Sequence, residues 1–305
     1  MPGTNGQSAL HPAGSGAQWI MDLTWVMTIG ATIIFIIVML LVWMAVKGPA
    51  GLRGVLASRA MIMAGGVAFP VVVLTALLAW GLAIARDIRV SAQEPAVRIE
   101  VSGEQWWWRI TYLDSAQRPL FATGNEIHLP AGSEAAFSLV SPDVIHSFWI
   151  PVLGGKMDAI PGRETRLQLT PTEPGRYRGV CAEFCGASHA LMAFDVIVHE
   201  PEAFDAWLAA EARDAEADAT PLARAGCTAC HTIRGVTETG RIGPDLTHLA
   251  ARERIAAGVL PNTEENLRRW ISNPQAIKPG ALMPPYGALP MAELDAIVDL
   301  LGSLE

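Results

Sequence analysis

Cys181-Ala-Glu-Phe-Cys185-Gly-Ala-Ser-His189-Ala-Leu-Met192 is the stretch whose reading decides this chain. Two thiols, an imidazole and a thioether fall within twelve residues. Soft sulfur combined with imidazole is a ligand set suited to copper. Two cysteines four apart on one loop can bridge a pair of metal ions. Stability alone requires no such set, so the stretch points to electron transfer.

Upstream lies His146, in Ser141-Pro-Asp-Val-Ile-His-Ser-Phe-Trp149 at the end of a predicted strand. A single histidine in that position is usually structural. Beside the Cys181–Met192 loop it becomes a candidate ligand. Residues 94–200 read as β, with short runs at 96–101, 126–129, 134–140, 166–169 and 193–198 rich in β-branched or aromatic residues. Pro130-Ala-Gly132, Pro161-Gly162 and Glu173-Pro-Gly175 separate them. Short strands at this spacing predict an all-β sandwich.

The chain has 305 residues, long enough for two or three domains, and four cysteines. The other two fall in Cys227-Thr-Ala-Cys230-His231. C-x-x-C-H is the attachment signature of c-type haem, in which both thiols join the haem and the histidine reaches the iron. A zinc site or a chance match is the competing reading of that motif alone. Two short-loop disulfides are the competing reading of all four cysteines, but neither loop is large enough for a bridge to stabilise much. Downstream, Gly280-Ala-Leu-Met283-Pro-Pro285 holds a methionine in a stiff, proline-bounded loop suited to the second axial position. Met/His ligation raises the reduction potential of a haem. Met291 competes for that position, but it begins a predicted terminal helix, 291–304; a second helix is expected over 263–271. Residues 201–214 read as an acidic helical linker and 215–305 as a small all-α domain.

Toward the N-terminus, no charged residue occurs from Leu23 to Val46 or from Ala60 to Ala85. Each run is long enough to cross a hydrocarbon layer of ~30 Å as a helix. Buried core helices are the alternative, but both runs are apolar on every face. The connection carries Lys47, Arg53 and Arg59 and no acid, which places it in the cytoplasm. A transmembrane hairpin over 23–90, with spans at about 23–46 and 60–85, then leaves the tail 1–22 and everything after it on the outer face. The tail before Asp22 has no Lys or Arg, so it lacks the charged start of a cleavable signal peptide. The net charge of −8 argues against a nucleic-acid partner and suits a basic one.

With these residues in hand, the chain to about residue 200 resembles subunit II of haem–copper cytochrome c oxidases. The hairpin, Gly103-Glu-Gln-Trp-Trp-Trp108, the Asp143/His146 stretch, Asp158-Ala-Ile-Pro-Gly-Arg163 and the cysteine loop carry the resemblance. It implies a cupredoxin fold with a binuclear CuA centre. Cys181 and Cys185 would be the bridging thiolates, His146 and His189 the terminal imidazoles, Met192 a thioether ligand, and Glu183 a ligand through its backbone carbonyl. Sharing one electron between two bridged coppers keeps reorganisation small. The Glu183 side chain would hold a magnesium ion shared with subunit I, and Trp106 would be the surface entry point for electrons from cytochrome c.

Residues 215–305 resemble a small class I cytochrome c, with Gly243-Pro244-Asp-Leu matching the segment beside the haem's histidine. Haem c would be joined at Cys227 and Cys230, with His231 and Met283 axial. Some bacterial oxidases carry such a fused cytochrome. The implied partners are subunits I and III, a cytochrome c donor and membrane lipid, in a bacterial inner membrane. No oxygen-reducing site is encoded, so catalysis belongs to the complex. One departure is Ala60-Met-Ile-Met-Ala-Gly-Gly66, where relatives often carry a glutamate near the cytoplasmic start of the second span. Competing functions are a CuA-containing nitric oxide reductase subunit, a free-standing membrane redox carrier, and a copper-storage protein, which leaves the haem motif unexplained.

Overall fold

The computed structural model describes residues 6–89 and 94–305. The chain divides into two compact units, Gln18–Glu94 and a larger one formed by the residues up to Ala17 together with Pro95–Glu305.

In the first unit, α1 (Ser15–Lys47) is followed by the short helices α2 (Ala50–Leu56) and α3 (Arg59–Met63). A π turn, Ala64–Ala68, then leads into α4 (Phe69–Arg89). Two helical stretches, Ser15–Lys47 and Arg59–Arg86, are long and apolar enough to cross a membrane, and neither has a buried face. The π turn has a local cause. Pro70 lacks an N–H and its ring clashes with the carbonyl four residues back, so the backbone widens at Gly65-Gly66 and continues. Ser58 caps α3, its Oγ accepting from the amide of Met61.

The larger unit opens with a β-sandwich. Its strands are β1 (Val97–Glu104), β2 (Trp107–Leu113), β3 (Pro119–Gly124), β4 (Glu126–Pro130), β5 (Ala135–Val140), β6 (His146–Trp149), β7 (Met157–Ala159), β8 (Thr165–Leu169), β9 (Gly175–Cys181) and β10 (Ala193–His199). One sheet runs β3-β2-β1-β5-β8 and the other β4-β10-β9-β6-β7. Period-two alternation selects the core face: Val97, Ile99 and Val101 on β1, Trp108, Ile110 and Tyr112 on β2, Ala135, Phe137 and Leu139 on β5. The fold is the expected cupredoxin-like sandwich. Sequence reading finds five of its strands and passes over β2, β3, β6, β7 and β9. β9 reads Gly-Arg-Tyr-Arg-Gly-Val-Cys. Its arginines and glycines mask a strand whose inner face closes against Phe194.

That closure is tight. The Phe148 and Phe194 rings stack at 4.8 Å, with Trp108 edge-on to both. A Cβ on Gly179 would lie 2.0 Å from Phe194 Cζ. Gly179→Ala is therefore expected to destabilise the sandwich by about 3 kcal/mol, since an overpacked core must shift its rings or backbone. A denaturant titration of the full chain followed through tryptophan fluorescence checks this.

The tail also belongs to this unit. The Ala13 amide donates to the Val152 carbonyl at 2.7 Å, and the Thr172 amide to the Ala13 carbonyl at 2.7 Å. Ala13 is buried in the sandwich core.

After the sandwich comes α5 (Pro201–Glu211), within the stretch expected to be an acidic linker. Phe204, Trp207 and Leu208, at helical i, i+3, i+4 spacing, pack α5 onto the sandwich instead. The remaining helices are α6 (Thr220–Arg224), α7 (Glu264–Ser272), α8 (Pro274–Ile277) and α9 (Met291–Gly302). Thr263 caps α7, its hydroxyl accepting from the Asn266 amide. Leu222, Leu267, Ile271, Leu294, Ile297, Val298 and Leu301 form a second, helical core.

Candidate metal centre and haem crevice

Two strands bring the sulfur loop and the distant histidine together. β6 begins at His146 and β9 ends at Cys181, and the two strands are antiparallel neighbours. The Ala182 amide donates to the Ser147 carbonyl at 2.9 Å. The loop closes at its own base, where the Cys181 amide donates to the Met192 carbonyl at 2.9 Å. The turn within the loop holds His189 beside Cys185.

The resulting donor cluster is compact. Cys181 Sγ lies 3.8 Å from Cys185 Sγ and 3.9 Å from His146 Nδ1. Cys185 Sγ lies 3.6 Å from His189 Nδ1 and 3.8 Å from Met192 Sδ. The Glu183 carbonyl is 3.2 Å from Cys181 Sγ. All four cysteines of the chain are free thiols. Cys181, Cys185 and Met192 are buried, whereas the Glu183 side chain is exposed.

The electrostatics fit a cation. Burial disfavours the Cys181 thiolate, but hydrogen bonding from His146 and nearby backbone outweighs it and pulls the thiol down. Cys185 moves up, through burial and then through the charge of its neighbour. Two thiolates this close repel each other, and positive charge at the cluster is what lets both ionise. The six donors together suit copper.

Asp143 orients one of the candidate ligands. His146 Nε2 donates to Asp143 Oδ1 at 2.8 Å, which keeps Nδ1 turned toward Cys181 as the ring atom a metal would take. Asp143 is itself held by the Gln105 amide at 2.7 Å and the Val144 amide at 2.6 Å. Gly103 leaves room for the ring, since a Cβ there would lie 2.9 Å from His146 Cγ.

The tryptophan run divides its work. Trp108 is core and meets His146 edge-on at 5.9 Å. Trp107 carries the Arg109 guanidinium 4.6 Å from its ring centre. Trp106 is half-buried, its Nε1 donating to the Cys185 carbonyl at 3.0 Å. Gln105 Nε2 donates to that same carbonyl at 2.7 Å.

The second centre is a cavity of about 210 Å³ lined by Cys227, Cys230, His231 and Met283. Most of its other walls are apolar, from Leu222, Leu246, Leu249, Leu267, Ile271 and Ile297, while Trp106 and Trp107 close the side toward the sandwich. His231 Nδ1 donates to the Pro244 carbonyl at 2.8 Å, which frees Nε2 for a metal. Gly243 is a cradle for the ring, since a Cβ there would lie 2.4 Å from His231 Cε1. Gln275 Nε2 donates to the carbonyls of Ala281 and Met283, both at 2.8 Å, and so stiffens the methionine loop. Met291 is 77% exposed at the start of α9 and lies outside the lining. This lining fits a haem held by two thioethers and an axial histidine.

The match to known proteins covers both centres. Residues 97–199 match the family model described as cytochrome c oxidase subunit II, periplasmic domain, and residues 217–305 match that of cytochrome c. The cytochrome c oxidase subunit 2 of Alkalihalophilus pseudofirmus is 32% identical over 99% of this chain and 92% of its own length. The chain belongs to the cytochrome c oxidase subunit 2 family. That of Bacillus sp. strain PS3 is 35% identical over 68% of this chain and 62% of its own. The crystal structure of the periplasmic domain of subunit II from Bradyrhizobium japonicum is 28% identical over 40% of this chain and 96% of that one, with a TM-score of 0.36. As a subunit 2 with a fused cytochrome c domain, the chain is an electron-input part of a haem–copper oxidase. It associates with subunit I as a membrane subunit with periplasmic redox domains, and its two domains imply CuA copper and haem c.

Several residues at the site escape sequence reading. Gln105 and Lys278 carry no ligand signal, because their roles come from what the fold packs against them. His128 and His199 have no ligand company in the sequence. In the fold they pair with each other, Nδ1 to Nε2 at 2.7 Å, and His128 stacks on Trp207 at 3.9 Å.

Proposed function

We propose that electrons enter this chain at the crevice of Cys227, Cys230, His231 and Met283, and pass to a binuclear copper centre held by His146, Cys181, Glu183, Cys185, His189 and Met192. An external cytochrome c supplies them, and subunit I takes them onward to reduce oxygen to water. When bound, the copper pair offers a one-electron site of small reorganisation and the haem a one-electron site of raised potential.

The observation that carries the route is the placement of Trp106. Its indole lines the haem crevice and its Nε1 donates to the Cys185 carbonyl. Both Gly186 and Gly280 make room for it: a Cβ on Gly280 would lie 2.6 Å from the indole, and one on Gly186 3.1 Å. The electron that Trp106 relays then comes from the chain's own haem side. Asp143 holds His146 in the tautomer that ligates, and the apolar crevice wall excludes water from the haem face.

Glu183 and the 77%-exposed Phe184 form the outer side of the copper loop and are the surface offered to subunit I. A magnesium ion shared across that surface would take the Glu183 carboxylate. Both termini lie with the redox domains on the outer face, and subunit III completes the complex. The packing of Ala13 into the sandwich supports that side for the tail.

Metal analysis with optical and EPR spectra of the purified complex tests the reading. Two coppers per covalently bound haem, a mixed-valence copper signal and oxygen consumption are expected. Fewer coppers, or Cys181 joined to Cys185 in well-folded material, would overturn it.

A further inference from the structure

Lys278 sits between the two centres, with a buried amine that belongs to neither centre's donor set. Its residue is 3% exposed. Burial pulls its amine down to about 7. Among the described residues it has no carboxylate partner, and its hydrogen bond runs from Nζ to the Leu191 carbonyl at 3.1 Å. Leu191 directly precedes Met192 in the copper loop. Lys278 itself precedes Pro279-Gly280, the start of the loop that ends in Met283, and it lines the haem crevice.

A second bond runs the opposite way between the same two loops. Ser188 Oγ donates to the Pro279 carbonyl at 2.6 Å, and Ser188 is 1% exposed. Both bonds are partly buried and join the same two loops. A buried ammonium is costly, and a leucine or methionine would fill the space without that cost. Apolar packing alone therefore does not explain a lysine here, whereas a directional tie to one carbonyl does.

We infer that Lys278 is a positioning residue, with Ser188 its partner in a two-bond latch that clamps the axial-methionine loop to the copper loop and fixes the spacing across which the electron passes. Beyond the packing of Gly280 on Trp106, further contacts between cytochrome and sandwich lie outside these loops. Arg109 donates to the Arg241 carbonyl at 2.8 Å, Arg254 pairs with Asp195 at 3.5 Å, and Arg176 pairs with Glu253. Those ties dock the domain. The latch sets the register of its redox edge.

This inference rests on the proposed function, and the test separates the two. In the assembled complex, a photoreductant delivers one electron to the haem, and haem reoxidation is followed together with copper reduction. Lys278→Met keeps the bulk and removes the donor. It is expected to slow the haem-to-copper step by about ten-fold or more, as small misplacements of reacting groups do. The haem spectrum, copper content and haem midpoint potential should hold, rates are compared at each variant's own copper potential, and Lys278→Arg should recover most of the rate. A wild-type rate in Lys278→Met overturns the latch, as does a loss that tracks lost copper in both variants. If Lys278→Met does not fold, Ser188→Ala is read in the same way: a slowed step supports the latch and a wild-type rate overturns it. If the unmodified complex passes no electron from haem to copper, the proposed function falls and the latch falls with it. If it does pass one and the variants match it, the latch alone falls.

Discussion

Cys185→Ser is expected to abolish the binuclear copper centre while leaving the sandwich folded. Cys185 Sγ is the hub of the cluster, within 3.8 Å of Cys181 Sγ, His189 Nδ1 and Met192 Sδ. A serine hydroxyl is harder, holds its proton more strongly and cannot bridge as a thiolate does. Removing a residue that merely orients a ligand costs roughly 10–100-fold in metal affinity, so removing the thiol proposed to bridge the coppers costs more. Copper per chain should fall from two toward one or none, the mixed-valence EPR signal should vanish, and oxygen consumption driven by a cytochrome donor should drop by more than about 100-fold. The backbone has independent anchors, because Gln105 and Trp106 still donate to the carbonyl of residue 185. The urea midpoint of the copper-free protein should therefore stay near that of the copper-free wild type. Full copper content in Cys185→Ser would refute the assignment of the loop.

The two cofactor motifs were legible because each concentrates its chemistry in sequence. Cys181 to Met192 and Cys227 to His231 are local runs whose residue types have few other uses. The sandwich was legible in outline from alternation on β1, β5 and β10. It was obscured on β9, where arginines face outward and Gly179 stands where Phe194 needs space. The acidic composition of 201–214 hid the stripe of Phe204, Trp207 and Leu208, since net charge reports the solvent face and not the buried one. The docking of cytochrome on sandwich could not be read at all. It depends on pairs such as Arg109 with Arg241, separated by 132 residues, and its redox edge on Ser188 with Pro279 and Lys278 with Leu191, separated by 91 and 87 residues. Trp106 shows the same limit. The resemblance made it a surface entry point for electrons from cytochrome c, whereas in the fold its ring packs against Gly280, in the loop that ends in Met283.

Gly243→Ala carries the second large effect, on the haem side. Gly243 is anchored by its amide, which donates to the Cys230 carbonyl at 2.7 Å, so its backbone cannot retreat. An added Cβ would sit 2.4 Å from His231 Cε1 and 2.7 Å from Nδ1. The imidazole is enclosed, with Nδ1–H committed to the Pro244 carbonyl, and it can yield only by turning out of that bond. Turning moves Nε2 away from the axis that an iron requires and removes the hydrogen bond that sets the ring's basicity. Haem attachment should survive, because Cys227 and Cys230 do not depend on the ring. The low-spin haem spectrum should be lost or weakened, the midpoint potential should move, and the domain should lose about 3 kcal/mol from overpacking. Redox titration of the complex, with pyridine haemochrome quantitation of the covalent haem, checks all three. A methyl group added at a neighbouring glycine is not equivalent. At Gly226, also beside the attachment motif, a Cβ meets nothing within 4 Å, so the cost of Gly226→Ala is confined to its left-handed backbone at φ +78°. The two glycines therefore separate crowding of the axial ring from backbone strain. Gly226→Ala should lower stability while leaving the haem potential in place, and a Gly243→Ala protein with wild-type potential would show that His231 does not hold the iron.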